Sequence, residues 1–294
     1  MKIRGHETFS IRKGWLHKGV KNISAEPRLF TRKDINPCDL LGIGTNMVKA
    51  LRYWMNAVGI MREEQEGGQK KYVLTELGEI IDQNDKYYEE DGTKCAIHYQ
   101  LATNKEQATA WYWFFNILKL NSFDKDIFVK ELREYLAEEY KQEDGYSEKV
   151  LADEFDCIIR TYCAKEKEIN PEDANICPLT ELHLIEHRGG KDYKKYTPDR
   201  DAIPPLIIFG AICEQNENEE ILISDLIEKP LSIAKVFNLD RTTCFYYLDK
   251  LQKVGLLSLS RTAGLDVIRI KTRYTFNEAL AEYYNELKGE SING

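Results

Sequence analysis

Thr45, Asn46, Lys49, Arg52 and Asn56 are spaced to fall along one side of a helix, and all five are side chains that contact phosphate oxygens or base edges. On the other side Val48, Leu51 and Met55 fall at i, i+3 and i+7, an apolar stripe able to face a core. The chemistry this implies is recognition of double-stranded DNA, with Lys49 and Arg52 on phosphates or guanine edges and Asn46 on a base or phosphate. A short helix around Asp39 and a turn punctuated by Gly42 and Gly44 precede that helix, and Gly59 stops it. A strand from Ile60, a turn at Glu66-Gly67-Gly68-Gln69 and a return strand Lys70–Leu74 follow, with Lys70 and Lys71 placed to grip the backbone. Helix, turn, helix and hairpin in that order is the winged form of the helix-turn-helix.

The C-terminal region repeats the layout. Leu231–Phe237 reads as a short amphipathic helix, and Asp240 as the N-cap of a helix Arg241–Val254. That helix is expected to bury Phe245, Leu248, Leu251 and Val254 and to expose Arg241, Thr242, Thr243, Tyr246, Lys250 and Lys253. Gly255 ends it, and Leu256–Ser260 with Leu265–Ile270 forms a hairpin around Arg261–Gly264. Arg241, Thr242, Thr243 and Lys250 are the DNA-contact candidates here. Winged helices also serve as protein-interaction or dimerisation modules, so a homodimer and a partner enzyme stand beside DNA as candidate partners.

The formal net charge of -8 hides a segregation. Met1–Arg62 holds 12 Lys/Arg against four acids, Lys229–Thr275 nine against three, and Tyr87–Glu228 16 against 31. Basic ends around an acidic centre suit ends that track phosphates and a centre that meets protein. The composition, 43% hydrophobic and 31% charged, is that of globular domains. Pro204–Cys213, the longest apolar run, is too short to cross a bilayer, and the polar opening Met1–Thr8 is no secretory signal. Seven scattered cysteines without a CxxC pair fit a reducing cytosol and argue against a zinc ribbon, so a cytoplasmic location is expected.

No catalytic constellation is visible. His6 and Glu7 lack further ligands or partners in sequence, and His183 and His187, four apart, complete no metal motif. No Walker pattern occurs, and neither a cofactor nor a metal is expected. The run Trp111–Phe115 could stack bases, but large aromatics at helical spacing more often build a core. The middle is expected to be helical, with Asp126–Lys141 and Glu148–Lys165 amphipathic, a loop at Asn170–Ala174, and a hairpin joining Leu182–His187 to Tyr193–Thr197. In Asp126–Lys141, Ile127, Leu132, Tyr135 and Leu136 point inward, and Ser147 caps the next helix.

His6–Phe9, Arg12–Leu16, Gly42–Trp54 and Leu74–Gly78 resemble the bacterial domain-of-unknown-function family 4007, as do Ala108–Asn116, Asp156–Tyr162 and Cys177–Leu182. That family often has an apolar, Trp-containing stretch after the wing, where this chain reads Gly92–Gln100. The resemblance implies an accessory or regulatory role beside sulfur-handling enzymes of DNA phosphorothioation and other phage-defence loci. It implies no catalytic residue. The fold expected is mainly α with small β-hairpin wings. A winged-helix domain over 1–88, a helical middle over 89–200 and a second winged helix over 201–294 make up the chain.

Overall fold

The computed structural model describes residues 1–141, 145–163, 176–262 and 265–289. The expected loop at Asn170–Ala174 and the tip of the last hairpin, 263–264, lie outside the described residues. The fold is mainly helical with small antiparallel sheets.

The first unit opens with α1 (Trp15–Ala25), α2 (Pro37–Leu41) and α3 (Thr45–Ala57). Asn36 caps α2 by accepting the Cys38 N–H, Pro37 takes its first position, and Gly42 leaves it in the left-handed region at φ 61°. Trp54 anchors α3 by donating its indole N–H to the Phe9 carbonyl at 2.9 Å. Strands β1 (Met61–Glu66) and β2 (Gln69–Leu74) pair antiparallel. Gly67 and Gly68 join them at φ 59° and 76°, the two positive angles that a tight two-residue hairpin turn requires. Thr75 then caps α4 (Glu76–Asn84).

The middle comprises α5 (Asp91–Thr103), α6 (Thr109–Asn116), β3 (Ser122–Phe123), α7 (Lys125–Tyr140), α8 (Glu148–Tyr162), a 3-10 turn Pro178–Leu182, β4 (Ile185–Gly189) and β5 (Asp192–Lys195). The strands form an antiparallel sheet ordered β3-β5-β4. Helix α5 is buried on almost every side, which explains why no amphipathic pattern marks it. Trp111, Trp113, Phe114 and Phe115 are no more than 2% exposed, so this aromatic run is core and offers no stacking face. Two expectations for the middle need correction. Ile127 is 37% exposed because Phe128 and Val129 take the inward positions of α7, and Ser147 precedes α8 without a side-chain cap bond.

The last unit runs α9 (Pro205–Gln215), β6 (Glu220–Leu222), α10 (Ile223–Glu228), α11 (Ile233–Val236), α12 (Arg241–Lys253), β7 (Leu257–Thr262), β8 (Leu265–Ile270) and α13 (Phe276–Lys288). Its sheet is ordered β6-β8-β7. The three-residue β6 carries no readable sequence signal. Gly210 lets α13 approach α9, because a Cβ there would stand 2.8 Å from that of Ala279. Helix α13 reaches back to the first unit through Asn277 to Glu76 (2.7 Å) and Lys288 to Asn84 (2.6 Å). One continuous hydrophobic cluster extends from Ile11 to Tyr284.

Candidate nucleic-acid interface

Helix α3 presents Thr45, Asn46, Lys49 and Arg52 to solvent on one face. Asn56 is half-buried, and its amide already donates to the Arg52 carbonyl at 2.9 Å. Lys49 reaches the Asn46 side-chain oxygen at 3.4 Å. Among the described residues no carboxylate comes within ion-pair distance of Lys49 or Arg52. The field of Arg52 is felt by its neighbours. Burial, and then the Arg52 charge, lowers the Lys2 pKa, and Lys2 lies 5.1 Å over the Tyr53 ring. Hydrogen bonds and charge from Lys70, and more weakly the Arg52 charge, lower the Glu63 pKa. Arg52 is thus felt by that carboxylate at a distance, while neither Arg52 nor Lys49 holds an ion pair among the described residues.

The hairpin beside it differs. Lys70 pairs with Glu63 at 2.8 Å, Lys71 with Glu66 at 3.1 Å and Glu64 at 3.6 Å, and Arg62 with Glu64 at 2.8 Å. The cross-strand register that sets Glu64 opposite Lys71 and Gln65 opposite Lys70 builds this lattice. Against the hairpin, a groove of about 780 Å³ is lined by Lys33 and by the paired charges of Arg28 with Glu66 at 3.2 Å and of Arg32 with both Glu26 and Asp34. Much of the basic excess counted in the N-terminal sequence is thus engaged within the protein.

In the second unit Asp240 accepts the Thr243 N–H at 2.7 Å and caps α12. Arg241 and Thr242 are exposed, but Thr243 is buried and unavailable to a ligand. The expected inward face of α12 is rotated: Cys244 and Tyr247 join Leu248 and Leu251 in the core, Phe245 is half-buried, and Val254 is 70% exposed. Arg241, Lys250, Arg269 and Arg273 are each engaged. Arg241 meets Asp266 at 3.3 Å, Lys250 is bound by Asp201, and Arg269 donates to Glu220 at 3.1 Å. Asp201 also accepts from the Tyr246 hydroxyl at 2.6 Å. Arg273 donates to the Cys213 and Asn216 carbonyls at 2.9 and 2.6 Å, tying down the end of α9.

His6, isolated in the sequence, is wholly buried with its Nε2 3.2 Å from a Glu154 oxygen. Its Nδ1 accepts the Thr8 N–H at 3.1 Å, which leaves Nε2 as the protonated ring nitrogen, near the carboxylate but without a hydrogen bond among the described residues. The ring stacks on Trp54 at 6.1 Å, and Arg160 donates to the Thr8 carbonyl at 2.8 Å. These contacts fasten the opening segment to α8, and Glu7 takes the left-handed φ of 48° in that turn. His98 is a second buried histidine, one that sequence reasoning misses. It donates to the Val236 carbonyl at 2.7 Å and accepts from Tyr162 at 2.8 Å, joining α5, α8 and α11. Nothing local announces either role, since Glu154 stands 148 positions from His6, and Tyr162 and Val236 stand 64 and 138 positions from His98. No group of three or more His, Cys, Asp or Glu among the described residues could hold a metal ion. No helix of the described residues is long and apolar enough to cross a membrane.

Two solved structures share this fold. One is described as a magnesium ion-bound SspB crystal structure (22% identity, TM-score 0.83), the other as an SspB crystal structure (23%, 0.83). Each comparison covers 100% of this chain and 89% of the other. No curated protein matches the sequence. The family model described as "Protein of unknown function (DUF4007)" matches residues 3–284, and the chain belongs to that family.

Proposed function

We propose that this protein is a non-enzymatic, double-stranded DNA-binding accessory or regulatory subunit of a bacterial DNA-modification system of the phosphorothioation type. In this reading the unit α2–α3–β1–β2 is a winged helix whose α3 enters the major groove, and the α9–β8 unit is a second winged helix. The protein positions a modification enzyme on DNA or regulates its own defence locus. The observation that carries the reading is the exposed face of α3, where Lys49 and Arg52 meet no carboxylate among the described residues. Thr45 and Asn46 supply uncharged polar groups beside them for base edges or phosphates. Lys70 and Lys71 exchange their glutamate partners for phosphates on binding, which exposed pairs do readily. Arg241, Thr242 and Lys250 form a minor secondary contact set, since Asp266 and Asp201 already hold the two cations. The defence-locus setting is drawn from the family resemblance.

The test is binding of a labelled duplex from the protein's own locus, with and without phosphorothioate linkages, across a salt series. Salt-sensitive binding that Lys49→Ala/Arg52→Ala weakens supports the reading, and a preference for one duplex separates a modification reader from a plain binder. Absence of binding at low salt overturns it.

A second reading, a protein-interaction scaffold, is favoured by one feature. A groove of about 710 Å³ brings the exposed Val254 together with Leu256, Tyr274, Glu282 and Glu286. Burial, and then the Glu282 charge, raises the Glu286 pKa, so this pair of carboxylates would welcome a cation. Its occupant would be a segment of the partner enzyme with an apolar anchor next to Lys or Arg. Retention of that enzyme without DNA, abolished in Val254→Glu, supports this reading, and retention by the variant contradicts it.

A further inference from the structure

A second concentration of positive charge lies away from α3. Between the β3-β5-β4 sheet and the α11–α12 turn is a cleft of about 680 Å³ lined by Lys119, Lys194, Lys195, Lys235 and Arg241. That volume falls in the range of about 300–1,000 Å³ typical of small-molecule sites. Arg241 is paired with Asp266, and the one carboxylate on the wall, Asp240, is engaged as the α12 cap. None of the four lysines has a carboxylate partner among the described residues.

The deepest of them is held in place. Lys195 donates to the Phe114 and Leu118 carbonyls at 2.5 and 2.8 Å and lies 4.8 Å over the Phe114 ring. Burial, reinforced by the Lys235 charge, pushes its pKa down to about 7. Like charges gathered in a concave site repel one another, and a ligand of opposite charge relieves that repulsion. Tyr196 stands at the same cleft with 39% of its surface exposed, an aromatic face on which a base can stack.

We propose that this cleft binds the phosphate chain of a nucleotide, with Lys119, Lys194 and Lys235 on the phosphates and Tyr196 against the base. The phosphates come either from a free nucleoside triphosphate or from the end of a nucleic-acid strand. The site is separate from the α3 face and does not depend on that face binding a duplex. Lys195 keeps its structural carbonyl contacts and adds positive potential from below.

The full chain is titrated calorimetrically with tripolyphosphate, with ATP and with a 5′-phosphorylated oligothymidine. An ionic strength of about 0.15 M limits unspecific attraction by screening charges beyond about 8 Å. Saturable binding of at least one probe is expected, weakened at least about tenfold by Lys119→Gln/Lys235→Gln and unchanged by Lys49→Ala/Arg52→Ala. ATP binding more tightly than tripolyphosphate assigns the base to Tyr196, and binding of the oligonucleotide alone assigns the site to a strand end. The unmutated chain gives a check that does not rely on folding of a variant: the bound probe raises its Tm, and sodium chloride of equal ionic strength does not. No binding of any probe, or binding that survives Lys119→Gln/Lys235→Gln, overturns the proposal.

Discussion

The two helix–turn–helix–hairpin segments follow the same element order but treat their cations differently. In the first, α3 holds Lys49 and Arg52 in solvent with no acid partner among the described residues, while the adjoining hairpin neutralises its own charges. In the second, α12 holds Arg241 and Lys250 against Asp266 and Asp201, and Arg273 is locked to backbone carbonyls. A basic residue counted in sequence is therefore not a basic residue available to a ligand. Under the proposed function, that difference makes the first segment the main candidate for duplex contact. The second engages Arg241 and Lys250 in ion pairs, and the unpaired lysines of the cleft beside α11 come mostly from the middle of the chain.

The largest expected effect follows from reversing charge on α3. Lys49→Glu/Arg52→Glu should reduce duplex affinity by more than about tenfold, at least about 1.4 kcal/mol, in a fluorescence-anisotropy titration. Its Tm should stay near that of the parent, because both side chains are exposed and neither holds an ion pair. A large drop in Tm would mean that α3 is structural in the same sense as α12.

Next comes the anchor joining the middle to the second segment. His98→Phe strands the Tyr162 hydroxyl and the Val236 carbonyl in the core, at a cost of about 1–3 kcal/mol for each group, and should lower Tm by several degrees. Burial holds the His98 pKa down at about 4, against 6.5 for an ordinary histidine. The unfolded chain then takes up the proton first. Stability is complete above about pH 6.5 and declines as pH falls toward 4, and this component should be missing from the pH–Tm profile of His98→Phe.

A smaller gain tests the hairpin. Glu63→Gln removes the carboxylate that holds Lys70 and should tighten duplex binding a few-fold at low salt, the advantage fading as salt rises. Smallest of all, Arg241→Ala/Lys250→Ala should change duplex affinity by no more than about twofold, since these cations are already paired. A weakening as large as that of the α3 variant would erase the distinction between the two segments.

What the sequence disclosed was local. Gly67-Gly68, Gly59 and the Asp240 cap are set by backbone conformations that short-range residue choice dictates, and they stand where the residues implied. The period of α3 was legible because one side is polar throughout. Helix α12 was harder, because Thr243, Cys244 and Tyr247 join Leu248 and Leu251 on its inward face, and none of the three reads as a strong apolar signal. That mixed pattern rotated the expected face and put Thr243 outside. The pairing of cations was not legible at all: Asp201 and Lys250, like Glu220 and Arg269, are 49 positions apart and meet only through tertiary packing. The same holds for His6 with Glu154, where a residue that reads as a lone acid–base candidate proves to be a fastening within the core.

The most direct test is the salt dependence of duplex binding by the parent chain and by Lys49→Ala/Arg52→Ala. Every phosphate that a side chain ceases to neutralise should reduce the slope of log K against log salt by about 0.9, so the double variant is expected to bind more weakly and with a slope shallower by about 1–2 units. An unchanged affinity and slope would contradict the assignment of DNA contact to α3.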